Sequence, residues 1–263
     1  VDHSATDPGL APQVLTTIVV PCRNEALNIL PLIAEIAAAM AGQGAFEIIV
    51  VDDGSDDGMA ARLEAARGDW PMLRVLRHDR SGGQSAAIHS GVLAARGALI
   101  CMLDGDGQNP PAELPRLIAA LRAPGAAPIG LVAGQRVGRK DTLARRLASR
   151  FANGLRSRVL KDGTRDTGCG LKAFRRDAYL ALPYFDHMHR YLPALFARDG
   201  WQIAHVDVTH RPRGAGRSHY SNLQRGLVGV VDLMAVAWLL HRRKKVRATE
   251  ISPIAGPVTE RQP

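Results

Sequence analysis

Cysteine is scarce in this sequence. Cys22, Cys101 and Cys169 are the only three, and no two form a CxxC pair. That excludes a disulfide framework and a zinc ribbon, and it suits a reducing compartment. Long apolar runs are also missing: nothing approaches the roughly 18 uninterrupted apolar residues of a clean membrane-spanning helix. Residues 1–13 have neither a basic start nor an apolar middle, so they read as a flexible leader and not as a signal peptide. The GxxxxGK[ST] and GxGxxG patterns are absent, which removes the P-loop and the dinucleotide fingerprint. Disorder throughout is excluded by 46% hydrophobic against 22% charged residues.

What is present falls into two halves. Residues 1–110 carry 7 Lys/Arg against 14 Asp/Glu, and residues 111–263 carry 27 against 11, so the net +9 hides an acidic half joined to a basic one. The first suits holding a cation, the second meeting phosphate or an anionic surface.

Up to Gly134 the chain alternates strands with helices. Strands are expected at 14–20, 46–51, 72–77, 98–103 and 129–133, and helices at 26–41, 58–67, 85–95 and 111–121. Such βαβ units predict an α/β fold, a doubly wound, mostly parallel sheet covered on both faces. Beyond Gly134 the pattern changes. Residues 141–160 read as a basic amphipathic helix with Leu143, Leu147, Phe151 and Leu155 four apart and Arg145, Arg146 and Arg150 among the rest. A strand is expected at 201–208. Residues 223–240 are apolar nearly all round, broken by Gln224, Arg225 and Asp232, and the basic run HRRKKVR follows. The expected organisation is a leader (1–13), a catalytic domain (14–219), amphipathic and basic interface helices (220–247) and a disordered tail (248–263).

Ligands of an open parallel sheet bind beyond the carboxyl ends of its strands. Four successive strand ends run into polar, Gly-bearing segments: Pro21-Cys22-Arg23-Asn24-Glu25, Asp52-Asp53-Gly54-Ser55, His78 to Gln84, and Asp104-Gly105-Asp106-Gly107-Gln108. One would be an ordinary turn; four on one edge point to a site. Asp104 and Asp106, two apart on an extended segment, call for a counter-ion when buried. With Gln108 they offer hard oxygen donors suited to Mg²⁺ or Mn²⁺ bridging phosphates, although a lone DxD is also a common solvated turn. In the second segment Ser55 or Asp56 is expected to cap the following helix while Asp52 or Asp53 faces a base or ribose. The loop bearing Gly82 and Gln84 lets backbone approach a ligand at a helix N-terminus.

VVPCRNEALNI, VVDDGSDDG, LDGDGQNPP, DTGCGLKAFRRDAY and THRPRGAGRSHYS, in this order, resemble the family 2 glycosyltransferases, and within them the branch that makes polyprenyl-phosphate sugars. The likeness spans about Thr16 to Leu240. It implies a GT-A-like fold and inverting, metal-dependent transfer of a sugar from a nucleotide diphosphate donor. It places Pro21, Glu25 and Asp53 at the nucleotide, with Arg23, Asn24, Asp52, Gly82 and Gln84 around them. Asp104 would lie beside the donor, and Asp106 with Gln108 would hold Mg²⁺ or Mn²⁺. Arg136 would grip an acceptor phosphate, while Arg211, Arg213 and Ser218 would close over the diphosphate. Three positions depart from the family's usual wording: Gln84 for Lys, Gln135 for Ser and His219 for Lys.

A phosphate monoester acceptor is already ionised at neutral pH and needs arginines to position it, whereas a hydroxyl acceptor needs a general base. The arginine-rich second half favours the phosphate. The expected partners are therefore a nucleotide sugar (UDP-sugar favoured, GDP-mannose possible), an undecaprenyl, dodecaprenyl or dolichyl phosphate, and an anionic membrane surface. The product would be a lipid-linked sugar for envelope glycan or lipid A modification, made by a peripheral protein on the inner face of the plasma membrane. Residues 223–240 would lie in the interface, the alternative being a helix buried in the globular domain.

Other readings are weaker. A polysaccharide synthase would carry QxxRW, and a sugar nucleotidyltransferase a GxGxR-type loop; both are absent. Non-catalytic nucleic-acid binding conflicts with a carboxylate-lined edge that repels a polyanion. His187 and His189 lack a third ligand nearby and suggest an interfacial or acceptor-side loop. Cys169 fits a tight turn, His210 an ordinary surface position and Arg175-Arg176 a solvated face, while Trp201 and Trp238 are expected to pack.

Overall fold

The computed structural model describes residues 16–125, 127–137, 156, 160, 162–211, 222–242 and 246. Continuous β-branched runs produce the central strands. β1 (Thr16–Cys22), β2 (Phe46–Asp52), β3 (Leu73–Arg77) and β4 (Leu99–Met102) are all parallel. Their side chains alternate between two cores. Ile18, Val20, Ile48 and Val50 join one core, while Val19, Ile49 and Val51 join the other. Helices α1 (Ile29–Met40), α2 (Met59–Ala66) and α3 (Gln84–Ala94) make the crossovers, α1 and α2 on the first face and α3 on the second. Buried on both faces, these strands need no polar alternation, which is why they read as unbroken apolar runs.

α4 (Leu114–Arg122) leads to β5 (Ile129–Arg136). β6 (Lys172–Arg175), α5 (Arg176–Leu180), α6 (Leu192–Arg198), β7 (Gln202–Val208) and α7 (Asn222–His241) complete the described elements. The seven-stranded order is β3-β2-β1-β4-β6-β5-β7. The order reverses beside β1, between β2 and β4, and a crevice opens at such a switch point. β6 runs antiparallel to both β4 and β5. Neither β6 nor α6 is foreseen above, because a four-residue strand with a charge at each end carries no readable period.

Several expectations are corrected in detail. α1 begins at Ile29, three residues late, since the Glu25 carbonyl first accepts the N–H groups of Asn28 and Ile29 in a tight turn. Arg175 and Arg176 are not merely solvated: Arg175 donates to the Ile129 carbonyl, and Arg176 to those of Val92 and Leu93 at the end of α3. Trp201 packs as expected, but Trp238 is 61% exposed with the Arg242 guanidinium 5.7 Å over its ring. No helix among the described residues is long and apolar enough to cross a membrane. The leader, nearly all of the 141–160 segment and the tail lie outside the described residues.

Candidate active site

The first two strand ends are laced together. Asn24 takes a left-handed backbone (φ 56°), a conformation Asn tolerates better than most residues. Its N–H donates to Ser55 Oγ (2.9 Å), and its Oδ1 accepts from the Asp56 N–H (3.0 Å). The Asp57 carboxylate accepts from the N–H groups of Ala26 and Met59 (2.8 and 3.1 Å). Neither Ser55 nor Asp56 caps α2 as expected: its N-cap is Gly58 with no side-chain cap, Asp57 accepts from the first helical N–H, and Ser55 braces the neighbouring loop instead. Asp52 is fully buried; its Oδ1 accepts from the Ser55 N–H, and Arg77 lies 3.5 Å from its Oδ2. Pro21 is the last residue but one of β1, Arg23 is exposed, and Glu25 is buried and accepts from Asn28 Nδ2 (2.6 Å).

Asp53 organises the third strand end. It accepts from Ser81 Oγ (2.7 Å) and from the N–H groups of Gly82 and Gly83 (2.8 and 2.9 Å). His78 Nδ1 lies 2.7 Å away, and a carboxylate that only accepts places the proton on that nitrogen. Burial alone would raise the Asp53 carboxyl, but the Gly82, Ser81, His78 and Gly83 donors outweigh it and hold it below the usual range. Gly54 (φ 68°) must stay glycine here, because a Cβ would stand 2.8 Å from the Arg80 carbonyl carbon. The two glycines at the start of α3 thus present their N–H groups to Asp53, and Gln84 begins the helix.

Gln84 reaches the fourth strand end, where its Nε2 donates to Asp104 Oδ1 (2.6 Å) and Asn109 Nδ2 lies 3.4 Å from Asp104 Oδ2. Asp106 Oδ1 accepts from the Gln108 N–H (3.1 Å). Burial, then the Asp106 carboxylate, push the Asp104 carboxyl up against the pull of Lys172, Arg136 and Asn109. The same acidic rim acts on Cys22: burial first, then Glu25, Asp52, Asp104 and Asp106, drive its thiol well up. Four carboxylates from three strand ends therefore act on the Cys22 thiol at the switch of the sheet.

Across the cleft, at the end of β5, Arg136 makes a two-pronged ion pair with Asp166 through Nε (2.6 Å) and Nη2 (2.8 Å). The Gln135 side chain accepts from the N–H groups of Arg165 and Asp166 and fixes that turn. The turn continues through Gly168 and Gly170 to β6. Gly170 lies against Asp104 so closely that a Cβ would overlap its Oδ2. Lys172 is 2% exposed and donates to the carbonyls of Cys169 and Thr167. Burial lowers its pKa against the nearby Cys169, Asp104 and Asp166.

The structure thus brings together Asp52, Asp53, Gly82, Gln84, Asp104, Asp106, Gln108 and Arg136. Asn109, Asp166, Gly170 and Lys172 were not singled out from sequence. The DTGCGLK segment was a signal for three of them, as a Gly-x-Gly turn between an acid and a base. Arg211 is placed differently from expectation. Its guanidinium bonds the Gly107 carbonyl (2.9 Å) and Glu35 of α1 (2.6 Å), and its N–H bonds the Gln108 carbonyl (3.0 Å), which clasps the 104–108 loop from outside. Arg213 and Ser218 lie outside the described residues. His189 is half-buried, its Nδ1 2.7 Å from Ser85 Oγ on α3, and desolvation drives its pKa well down. Cys169 is buried in its turn. Among the described residues no three His, Cys, Asp or Glu side chains form a ready metal cluster.

Comparison with known proteins follows the same residues. The model of "Glycosyl transferase family 2" matches residues 17–182. Dodecaprenyl-phosphate galacturonate synthase of Rhizobium johnstonii is 34% identical over 235 residues, 87% of this chain and 68% of that protein. Undecaprenyl-phosphate 4-deoxy-4-formamido-L-arabinose transferase of Edwardsiella ictaluri is 34% identical over 220 residues, 83% and 65% respectively. The chain thus spans about two-thirds of the length of these curated relatives. Among solved structures, glucosyl-3-phosphoglycerate synthase of Mycobacterium tuberculosis, with Mn²⁺, UDP and glucosyl-3-phosphoglycerate, aligns with TM-score 0.64 at 20% identity, covering 86% of this chain and 80% of that one. A mannosyltransferase of Pyrobaculum calidifontis, with GDP-Man and Mn²⁺, aligns with TM-score 0.65 at 22% identity, covering 92% and 68%. These two share the fold, a mostly parallel, GT-A-like sheet. The family match starts in β1, passes through every acidic strand end and ends just beyond α5, so the chain belongs to glycosyl transferase family 2.

Proposed function

We propose that the chain transfers one sugar, with inversion, from a nucleotide diphosphate sugar to a polyprenyl phosphate, using a divalent metal. The carrying observation is the arrangement of Arg136 and Asp104 about one turn, where Asp166 clamps the arginine and Gly170 lies flush with the carboxylate. Two of the five guanidinium N–H donors are spent on Asp166, and the others suit a phosphate. A lipid phosphate, with its second pKa of about 6, arrives ionised and needs orientation rather than a base. The names of the two curated relatives, both polyprenyl-phosphate enzymes, support the same acceptor.

The residues present fit a hard divalent ion. Asp106 and Gln108 offer oxygen donors, and the carboxylate crowding that adds to burial in raising Asp104 and Cys22 is what a cation offsets. Mg²⁺ or Mn²⁺ held by one or two carboxylates and completed by substrate phosphates needs no larger protein cage. Bound there, it would stabilise the charge on the departing diphosphate. Asp104 and Gln84 then face the donor sugar, Asp53 and the Gly82–Gly83 backbone border the nucleotide, and Arg136 aligns the acceptor oxygen on the opposite side. The solved neighbours' UDP, GDP-Man and Mn²⁺ agree with this kind of donor. The exposed apolar side of α7 and the basic run after it suit the inner membrane surface where such a lipid resides.

Incubation with polyprenyl phosphate, Mg²⁺ or Mn²⁺ and a panel of UDP- and GDP-sugars tests this. One donor should yield a lipid-linked product, lost on Asp106→Asn. Product that survives chelation refutes the metal. Turnover of hydroxyl acceptors without lipid phosphate refutes the acceptor.

A further inference from the structure

We infer that Lys172 is a positioning residue that sets Asp104 and Arg136 in register through the 166–170 turn, donor and acceptor sides being named as in the reading above. The sheet puts it between them. Lys172 lies opposite Met102 on β4, two residues before Asp104, and opposite Ala133 on β5, three residues before Arg136. Ala173 and Phe174 also pair with both strands, but Lys172 is the one at the end of β6 nearest both groups, and the one with a charge. Its ammonium is buried and bonds the Thr167 and Cys169 carbonyls, so it fixes the path of the turn from inside.

That turn touches both sides of the cleft. At its far end Asp166 holds the Arg136 guanidinium. In its middle Gly168 lies beside Arg136, where a Cβ would be 3.2 Å from Nη2. At its near end Gly170 is pressed on Asp104, and the next residue, Leu171, accepts from the Gly134 N–H at 3.0 Å. A neutral side chain of similar length would fill the space but leave the buried Cys169 carbonyl and the half-buried Thr167 carbonyl without their donor. The turn would then relax, and the carboxylate and the arginine would shift together. A residue serving stability alone would change how much protein folds and leave the properties of the folded enzyme alone.

The test uses Lys172→Met, Lys172→Arg and Gly170→Ala in the full chain. In Lys172→Met the Mn²⁺ half-saturation should rise about tenfold, because a shift of Asp104 carries with it Asp106, the metal-holding carboxylate two residues along the same loop, as on loss of a group supporting a metal ligand. The acceptor KM should rise in the same variant, and kcat/KM should fall about 100-fold, as for a small misplacement of reacting groups. Lys172→Arg, which restores donors to both carbonyls, should recover most of each. Combined with Arg136→Lys, Lys172→Met should cost less than the product of the separate losses, because the two act through one turn. Unchanged Mn²⁺ and acceptor values in folded Lys172→Met overturn the inference. If Lys172→Met does not fold, Gly170→Ala decides: it should raise both values, and a rise in the Mn²⁺ value alone overturns the coupling. If the wild-type protein turns over no donor in the panel, the failure falls on the proposed function. The inference is then read from Mn²⁺ binding with UDP or GDP by electron paramagnetic resonance, where Lys172→Met should weaken binding about tenfold and equal binding overturns it.

Discussion

One carboxylate, Asp53, gathers four donors and thereby shapes the loop between β3 and α3. The sequence placed two aspartates at the end of β2 but did not say which would do so. Neighbours on a strand point to opposite faces, and only the position of α3 decides which face holds the loop. Asp52 turns inward to the Ser55 N–H, and Asp53 turns toward Gly82 and Gly83. Asn at position 53 keeps one acceptor oxygen but sets an amide NH₂ against the remaining donors. Asp53→Asn should therefore destabilise the fold by about 1–3 kcal/mol. A shift in denaturant midpoint at unchanged slope checks this; a midpoint equal to wild type would show the loop to be held by other contacts.

At the scale of elements, α7 has two unlike faces. Its inner face is in the second core: Val236 is 1% exposed and Leu233, Leu239 and Leu240 pack nearby. Tyr191 Oη donates to the Gly229 carbonyl, and His187 Nδ1 lies 3.1 Å from Asp232, so the charged residue that breaks the apolar run is used on the inside. The outer face carries Val230, Val231, Met234 and Trp238, each more than half exposed. The buried expectation describes the inner face, and the outer face is the one on which the interfacial expectation would have to rest. Val231→Glu with Met234→Glu should abolish sedimentation with anionic vesicles and leave the melting temperature near wild type. Val236→Asp should instead cost about 3 kcal/mol, the cost of an unpaired buried charge. Vesicle binding that survives the double substitution would remove the membrane role of this face.

Across the whole molecule, three buried carboxylates tie distant elements. Glu47 accepts from Thr17 Oγ1, Arg74 and the Arg96 N–H, joining β1, β2, β3 and the approach to β4. Glu113 accepts from the N–H and hydroxyl of Thr209 and pairs with Arg116, joining α4 to the end of β7. Asp53 is the third. Burial pushes each up, but its donors outweigh burial, so all three lie below the ordinary values of 3.8 for Asp and 4.5 for Glu. A depressed carboxyl contributes stability that is complete above its unfolded pKa and lost as pH falls through its folded one. Unfolding free energy should be flat with respect to these groups above about pH 5 and fall below about pH 4. Denaturant melts from pH 6 to 2.5 check this, and a midpoint unchanged down to pH 3 would contradict it.

The sequence alone determined the alternation of strand and helix, the parallel core and the acidic, glycine-bearing strand ends, because each is written in neighbouring residues as a period, a run or a short spacing. Asp104 and Asp106 were legible for that reason. Arg136 and Lys172 were legible as charges but not as partners of a particular turn. The tertiary structure decided that β6 runs antiparallel between β4 and β5, that Gly170 meets Asp104, and that Arg211 turns to Glu35, 176 positions away. Contacts of that span depend on sheet order and register, which fix distances between segments that no local pattern relates.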